Sequence, residues 1–300
     1  MTGDTENYVI IVGAMKSGTT TLFSMLADHP QIAPAHPKEP GFFAFDAIYG
    51  RGFEWYHGLF QFDPTKHRYR LEASTDYTKV PFVTGVWERM KKRPQARYKL
   101  IYIMRHPLRR LESHAQHVQR SKKEIGQNIS PRQDHSFDNG ISLASLAMTQ
   151  YATQLDQYQE VIAAGDMFIT TLEEITQAPG DVMDKIHSFL DLAPPASPTV
   201  ARQSNAAKNK VKMHSSWRFL VNTPLLMAFG KRLLPAALRH RIKLFFRRSA
   251  VPEGRFRLTP QEETVLKDQL RPDLIRLGAD YGIDVAGLWN LPVRVSDNEP

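Results

Sequence analysis

No cysteine occurs anywhere in the 300 residues. Disulfides, thiolate metal sites and cysteine nucleophiles are therefore excluded. Long apolar runs are missing too. The longest, around Phe219 to Gly230, is broken by Asn222 and Pro224 and is too short to span a bilayer. The first residues, MTGDTENY, are polar and lack the apolar stretch of a signal peptide. The eleven histidines are scattered singly, with no H-E-x-x-H or closely paired spacing, which argues against a metal site. These absences describe a cytoplasmic protein that works without a metal.

Acidic residues are scarce in one region. Between Lys208 and Arg257 stand thirteen Lys/Arg and a single acid, Glu253, whereas the whole chain carries a net charge of only +8. The basicity is thus regional. Such a region suits an anion: a phosphate cofactor, an acidic polymer or an anionic membrane surface. Nucleic acid is the least favoured partner, because no recognition motif accompanies the charge. Residues 231–249, KRLLPAALRHRIKLFFRRS, are partly amphipathic. They read as a helix pair broken at Pro235 that packs its Leu and Phe, or as a peripheral contact with an anionic membrane.

What is present is a strand–helix alternation. YVIIVG (8–13) is a short, almost continuous apolar run, as expected of a strand buried on both faces of a parallel sheet. YRLEAS (69–74), YKLIYIM (98–104) and the start of MFITTLEEI read as further strands. Helices are expected after the first glycine-rich turn, over Pro107 to Gln119, over 141–165 as one long element, and over PGDVMDKIHSFLDL. The pattern predicts an α/β domain with a central, mainly parallel sheet flanked by helices in three layers. It divides into an α/β core (1–195), a basic loop and helical segment (196–257) and C-terminal helices (258–292) that pack on the core. The polar stretch 121–139 reads as a loop. Tyr151 and Tyr158, seven apart, are assigned to one face of the long helix, in the core.

VGAMKSGTT (12–20) follows the first strand. A tight turn there lets several backbone N–H groups face one anion, and the next helix adds its positive end. Gly13 and Gly18 remove the Cβ atoms that would obstruct the wrapping. Lys16 adds charge; Ser17, Thr19, Thr20 and Thr21 add hydroxyls. An ATPase loop would carry lysine after the second glycine. Here Thr19 holds that place, which disfavours a magnesium-dependent nucleotide. Taken alone, the stretch is also compatible with a glycine-rich turn that holds nothing.

IYIMRHPLRRLESHAQH (101–117) repeats the logic. A buried strand delivers Arg105 at its C-terminal end, and Ser113 follows about two turns into the next helix. The pair offers a planar fork and a hydroxyl to a phosphate, or else a strand cap and a surface serine. HPKEPGFF (36–43) places Glu39 beside Phe42 and Phe43. Aromatic neighbours can exclude water and raise a carboxyl toward the range of a useful base. The plain alternative is an exposed Lys–Glu pair with two phenylalanines anchoring the loop in the core. EASTDYTK (72–79) follows a strand, so Glu72 and Asp76 either touch an acceptor or fix the loop.

In this order and spacing the three segments resemble the sulfotransferases that use 3′-phosphoadenosine 5′-phosphosulfate (PAPS), most closely carbohydrate sulfotransferases of the heparan-sulfate type and their bacterial relatives. The tail 258–289 is also similar to the C-terminal segment of bacterial members. The resemblance implies a P-loop-like fold and sulfuryl transfer from PAPS to a hydroxyl of a carbohydrate or glycolipid acceptor, releasing PAP, with no metal. It implies that Lys16, Ser17, Gly18, Thr19 and Thr20 hold the phosphosulfate end and that Arg105 and Ser113 hold the 3′-phosphate. Glu39 is implied as the base, with Lys16 beside it in catalysis. The lysine-rich AAKNKVK (206–212), with Lys210, matches a family loop near the cofactor. Many relatives carry a histidine two residues after the glutamate and an acid five after it; here Gly41 and Ala44 occupy those positions, with Asp46 close by. A nucleotide-dependent kinase, or a polyanion-binding protein with a vestigial loop, are the competing readings. Oligomeric state stays open.

Overall fold

The structure, a computed structural model, describes residues 6–124, 141–195, 212–213, 247–248 and 256–291. The chain forms two units. One comprises Met1–Arg202 with Phe256–Pro300; the other is Gln203–Arg255.

The first unit is built on five parallel strands in the order β2-β3-β1-β4-β5. They are β1 (Glu6–Gly13), β2 (Ile32–Pro34), β3 (Tyr69–Ala73), β4 (Ala96–Met104) and β5 (Met167–Thr171). Tyr8 to Val12 and Leu100 to Met104 are fully buried. That is why these runs are apolar on both faces rather than alternating. One face of the sheet is covered by α1 (Thr19–Ala27), α9 (Leu172–Gln177) and α10 (Pro179–Phe189), which share a cluster with Val9, Ile11, Ile101 and Ile103. The opposite cluster gathers Tyr8, Ile10, Leu100 and Tyr102 with residues from α5 (Pro107–Glu124) and from the C-terminal helices. Three short helices, α2 (Asp46–Tyr49), α3 (Gly52–His57) and α4 (Val86–Lys91), fill the connections from β2 to β3 and from β3 to β4.

The expected long helix over 141–165 is broken into α6 (Leu143–Ala147), α7 (Tyr151–Leu155) and α8 (Gln159–Ala163). The cause is a distant side chain. Asp273 accepts hydrogen bonds from the Ala152 and Thr153 amides, at 3.0 and 2.9 Å, and from the Thr153 hydroxyl. A carboxylate thus caps a fresh helix N-terminus where a continuous helix would use its own carbonyls. Asp273 lies in α11 (Pro260–Tyr281), which opens with a Thr259/Glu262 capping box and is followed by α12 (Val285–Trp289). Both helices contribute residues to the core. Tyr151 and Tyr158 are buried, but the break between their elements means that they do not share one helical face.

In the second unit two short strands, β6 (Lys212–Met213) and β7 (Arg247–Arg248), pair antiparallel. The helical expectation for 231–249 is therefore corrected at Arg247 and Arg248, which are extended. The loop expected at 121–139 is corrected at 121–124, which continue α5 to Glu124; its residues 125–139, Lys210 and the rest of 231–249 lie outside the described residues.

Candidate functional site

All five strands point the same way, so the loops after β1, β3, β4 and β5 share one edge of the sheet. The chain moves from β1 to the β3 side and later crosses to β4 on the other flank. The point of reversal lies between β1 and β4, where open α/β sheets bind ligands. The VGAMKSGTT loop and Arg105 are what the sequence supplies there.

The β1 loop departs from the ladder through a bulge. Ile11 pairs with Ile101 and Gly13 with Tyr102, leaving Val12 as the extra residue. The Val12 carbonyl instead accepts from the Thr78 hydroxyl at 2.9 Å. The Ala14 amide then donates to the Ile103 carbonyl at 2.8 Å. Lys16 and Gly18 both adopt left-handed backbone, with φ of 74° and 92°. For lysine this is uncommon, and such residues concentrate at functional turns. Gly18 is the N-cap of α1 and no side chain caps it. The amides of Thr19 and Thr20 open the helix, so they have no carbonyl one turn earlier within it.

The two loop glycines serve a purpose the sequence did not disclose. A Cβ on Gly13 would lie 1.9 Å from the Thr78 hydroxyl and 2.9 Å from the Tyr102 ring. One on Gly18 would lie 2.7 Å from Leu172. The room that an anion-wrapping turn was expected to need is thus also required by the protein's own packing. Such Cβ atoms would strike the segment after β3 and the start of α9.

Arg105 stands at the C-terminal end of β4, as expected, and its guanidinium donates to the Lys16 carbonyl at 3.3 Å. The two expected anion cradles are thus joined by a hydrogen bond. Burial works against the charge of Arg105, with Glu173 the main opposing influence. The guanidinium nonetheless stays protonated at neutral pH. The Tyr151 hydroxyl donates to the Arg105 carbonyl at 2.7 Å. Ser17 is fully buried, and its hydroxyl lies against Tyr151 without reaching an acceptor at hydrogen-bonding geometry. Ser113 is half-buried on α5. The next residue, His114, is buried with Nδ1 unpartnered. Desolvation first, then the positive charges of Arg110, His117, Lys16 and Lys79, lower its pKa to about 3. The imidazole is therefore neutral at pH 7, and the charges that bear on it are positive.

Glu39 does not have the surroundings anticipated for it. Its side chain is 43% exposed and pairs with Lys38. Phe42 and Phe43 turn away into the core, Phe42 stacking on Tyr56 at 4.3 Å. The aromatic shielding of the carboxylate is therefore corrected: the phenylalanines anchor the segment and leave the carboxylate in water. Glu39 also has left-handed backbone, φ 61°. Asp46, which lies near the position of an acid in relatives, is exposed and pairs with Arg89.

The buried carboxylate of this region is Glu72. It accepts from the Ser74 and Tyr77 hydroxyls, both at 2.6 Å, and from the Tyr56 hydroxyl. Burial raises its pKa, and the three donors pull the other way. The same hydroxyls reach the Glu39 segment: the Gly41 amide donates to Ser74 Oγ at 3.0 Å and the Phe43 amide to the Tyr77 hydroxyl at 3.1 Å. Glu72 fixes the loop, one of the two roles weighed for it. Asp76 pairs with Lys79 at 2.6 Å. Sequence reasoning missed Tyr151, Thr78, Lys79 and Arg110 at this edge. Only their nearness to the motifs could have signalled them.

Among the described residues no group of three or more metal-ligating side chains comes together, and no helix is long and apolar enough to cross a membrane. Residues 6–276 match the family model described as sulfotransferase domain. Human bifunctional heparan sulfate N-deacetylase/N-sulfotransferase 2 is 25% identical over 200 residues, covering 62% of this chain and 22% of that protein. Human heparan sulfate glucosamine 3-O-sulfotransferase 5 is 25% identical over 191 residues, covering 62% of this chain and 53% of that protein. The chain thus spans about a fifth to a half of the length of these relatives. A solved sulfotransferase from Alicyclobacillus acidocaldarius superposes with a TM-score of 0.58 at 20% identity, covering 94% of this chain and 98% of that one. It supports the P-loop-like arrangement of the sheet and its helices.

Proposed function

The chain belongs to the sulfotransferase domain family, and from that premise we propose that it moves a sulfuryl group from PAPS to a hydroxyl of a carbohydrate or glycolipid acceptor. The observation that carries the reading is the hydrogen bond between Arg105 and the Lys16 carbonyl. It unites a helix-opening anion loop and a strand-end guanidinium at the switch point of the sheet.

The residues fit a nucleotide with phosphates at two ends. The Ser17 hydroxyl is buried without an acceptor, and the amides that open α1 are uncapped by any side chain. PAPS, when bound, supplies an activated sulfuryl group and departs as PAP. Lys16 and the amides of Thr19 and Thr20 would stabilise the negative charge that grows on the leaving phosphate, as donors do in an oxyanion hole. Arg105 and Ser113 would hold the 3′-phosphate and so fix the direction of the other end. Glu39 would accept the proton of the acceptor hydroxyl, a contribution worth about 10²–10⁴ in rate. Its exposure is suited to that task, because the acceptor must reach it from solvent. Lys38, paired with Glu39, orients the carboxylate. The lysines of the basic segment, Lys210 among them, are proposed to add positive charge for the nucleotide or an anionic acceptor. An anionic membrane surface is the other partner that segment's charge would suit.

Incubation with sulfur-labelled PAPS and a panel of glycans, glycolipids and small glycosides, followed by mass spectrometry, tests the proposal. A mass gain of one sulfate on a hydroxylated acceptor, with release of PAP, is expected. Binding of PAP without label transfer to any class of acceptor would sink the catalytic reading, and magnesium-dependent binding of ATP in place of PAP would revive the kinase.

A further inference from the structure

Among the described residues Arg110 is the largest fully buried side chain, with no exposed surface at all. It lies on α5, where a surface arginine would be ordinary. One terminal nitrogen, Nη1, donates to the Ser145 carbonyl at 3.0 Å, the Ser145 hydroxyl at 3.3 Å and the Thr149 hydroxyl at 2.8 Å. All three acceptors are neutral. Nε and Nη2 are buried and have no acceptor. No carboxylate among the described residues pairs with this guanidinium; burial weighs most on its charge, and its titratable neighbours, the Tyr151 and Tyr102 phenols, are neutral at pH 7.

An arginine cannot escape the cost of burial by giving up its proton. A buried charge is tolerated when it is paired, and a single cation with two idle donors is a standing liability. Its location suggests what balances it. Arg110 acts on Tyr151, and the Tyr151 hydroxyl both holds the Arg105 backbone and lies against Ser17. Ser113 and His114 follow Arg110 by three and four positions on α5, which puts them on the same helical face. Arg110 therefore sits directly behind the joint of the two anion cradles, and the surrounding charges that depress His114, namely Arg110, Lys16 and Lys79, have a common sign.

We infer that Arg110 is a buried positioning cation whose counter-charge is the phosphate of the bound nucleotide, felt through the Tyr151 joint rather than by contact. The inference rests on the PAPS reading above. It makes nucleotide charge, as well as nucleotide shape, a determinant of binding.

The test is a charge ladder of ligands. Adenosine, AMP and PAP are titrated calorimetrically into the wild type and into Arg110→Met, and the melting temperature of each unliganded protein is measured. The variant is expected to melt no lower than the wild type, because an uncompensated buried charge has been removed. Its affinity for PAP should fall about tenfold or more, that for AMP less, and that for adenosine not at all, since charge–charge energies scale with ligand charge. A role confined to tying α5 to the Ser145–Thr149 turn gives the opposite pattern: a lower melting temperature and equal losses for all three ligands. That result overturns the inference. Should Arg110→Met fail to fold, Thr149→Val and Arg110→Lys carry the question. The first removes a hydrogen bond and keeps the charge, the second keeps only the charge, and both should retain PAP binding within about threefold by the same charge argument. A Thr149→Val loss as large as tenfold would overturn the inference. Wild-type protein that binds PAP no better than adenosine would instead bring down the nucleotide reading itself, a failure recognisable because it appears before any substitution.

Discussion

The side proposed for the nucleotide leans on backbone geometry as well as side chains, and the side proposed for the acceptor is held by side chains. On the first, a bulge in β1, two left-handed residues and a helix N-terminus arrange amides and carbonyls before any ligand arrives. On the second, Glu39 stands in water on a segment that other side chains hold from beneath: the Ser74 and Tyr77 hydroxyls on Glu72, and Phe42 and Phe43 in the core. Preorganised donors are the economical way to stabilise charge that appears in a transition state. An accessible base is the economical way to serve an acceptor that must come and go. The two halves should therefore fail differently when damaged.

The largest expected difference is at Glu39. Glu39→Gln should lower kcat by about 10²–10⁴, the usual weight of a general base. PAP affinity, measured calorimetrically, should stay within about twofold, because no nucleotide contact is lost. A parallel collapse of PAP binding would break the division between the halves and assign Glu39 a structural place. Next comes Arg105. Arg105→Ala should weaken PAP about ten- to a hundredfold, the scale of a hydrogen bond to a charged group. Adenosine 5′-phosphosulfate, which lacks the 3′-phosphate, should weaken less. Equal losses would mean that Arg105 serves the Lys16 loop, through the bond it already makes, and no phosphate.

The two halves also differed in how far the sequence disclosed them. Apolar runs bounded by turn residues gave away β1, β3, β4 and β5, because strands buried on both faces have no other composition open to them. The β1 loop and Arg105 were legible for a related reason: a turn between strand and helix and a charged residue at a strand end leave a local mark, although the packing that Gly13 and Gly18 also serve did not show. Tertiary causes were hidden. The break at Tyr151 depends on Asp273, which lies 121 residues away. Arg110 reads as an ordinary helix-surface arginine until the fold seals it. Glu39 beside two phenylalanines suggested a shielded carboxylate, whereas local order said nothing about which way the rings would turn. Glu72 looked equally suited to touch an acceptor or fix a loop, and only the three hydroxyls around it decide for the loop.

That hydroxyl cage offers a smaller test on the acceptor side. Tyr77→Phe removes one donor from Glu72 and one acceptor from the Phe43 amide. Leaving buried polar groups short of partners costs about 1–3 kcal/mol, which urea unfolding would register. Turnover should drop with it while PAP binding holds, since the Tyr77 hydroxyl supports the Glu39 segment. Unchanged turnover in a destabilised variant would show that the Tyr77 hydroxyl supports the core only, and the Glu39 segment would then owe its order to Phe42, Phe43 and the Ser74–Gly41 bond.

The last test belongs to the side proposed for the nucleotide and is visible only against pH. His114 has a folded pKa of about 3 against an ordinary value of 6.5. Between those values the unfolded chain binds a proton that the folded protein refuses. Stability from this source is thus complete above pH 6.5 and declines as pH falls toward 3, by about 1.4 kcal/mol per unit at most. His114→Gln removes the titration, so the wild-type and variant stability curves should converge or cross on acidification, whatever the carboxylates common to both are doing. Parallel curves from pH 7 to 5 would show that burial and the neighbouring positive charges do not hold the imidazole neutral. Saturating PAP sharpens the point. Phosphates facing those charges would offset them, ease protonation of His114 and flatten the wild-type slope, whereas a nucleotide bound elsewhere would leave the slope as it was.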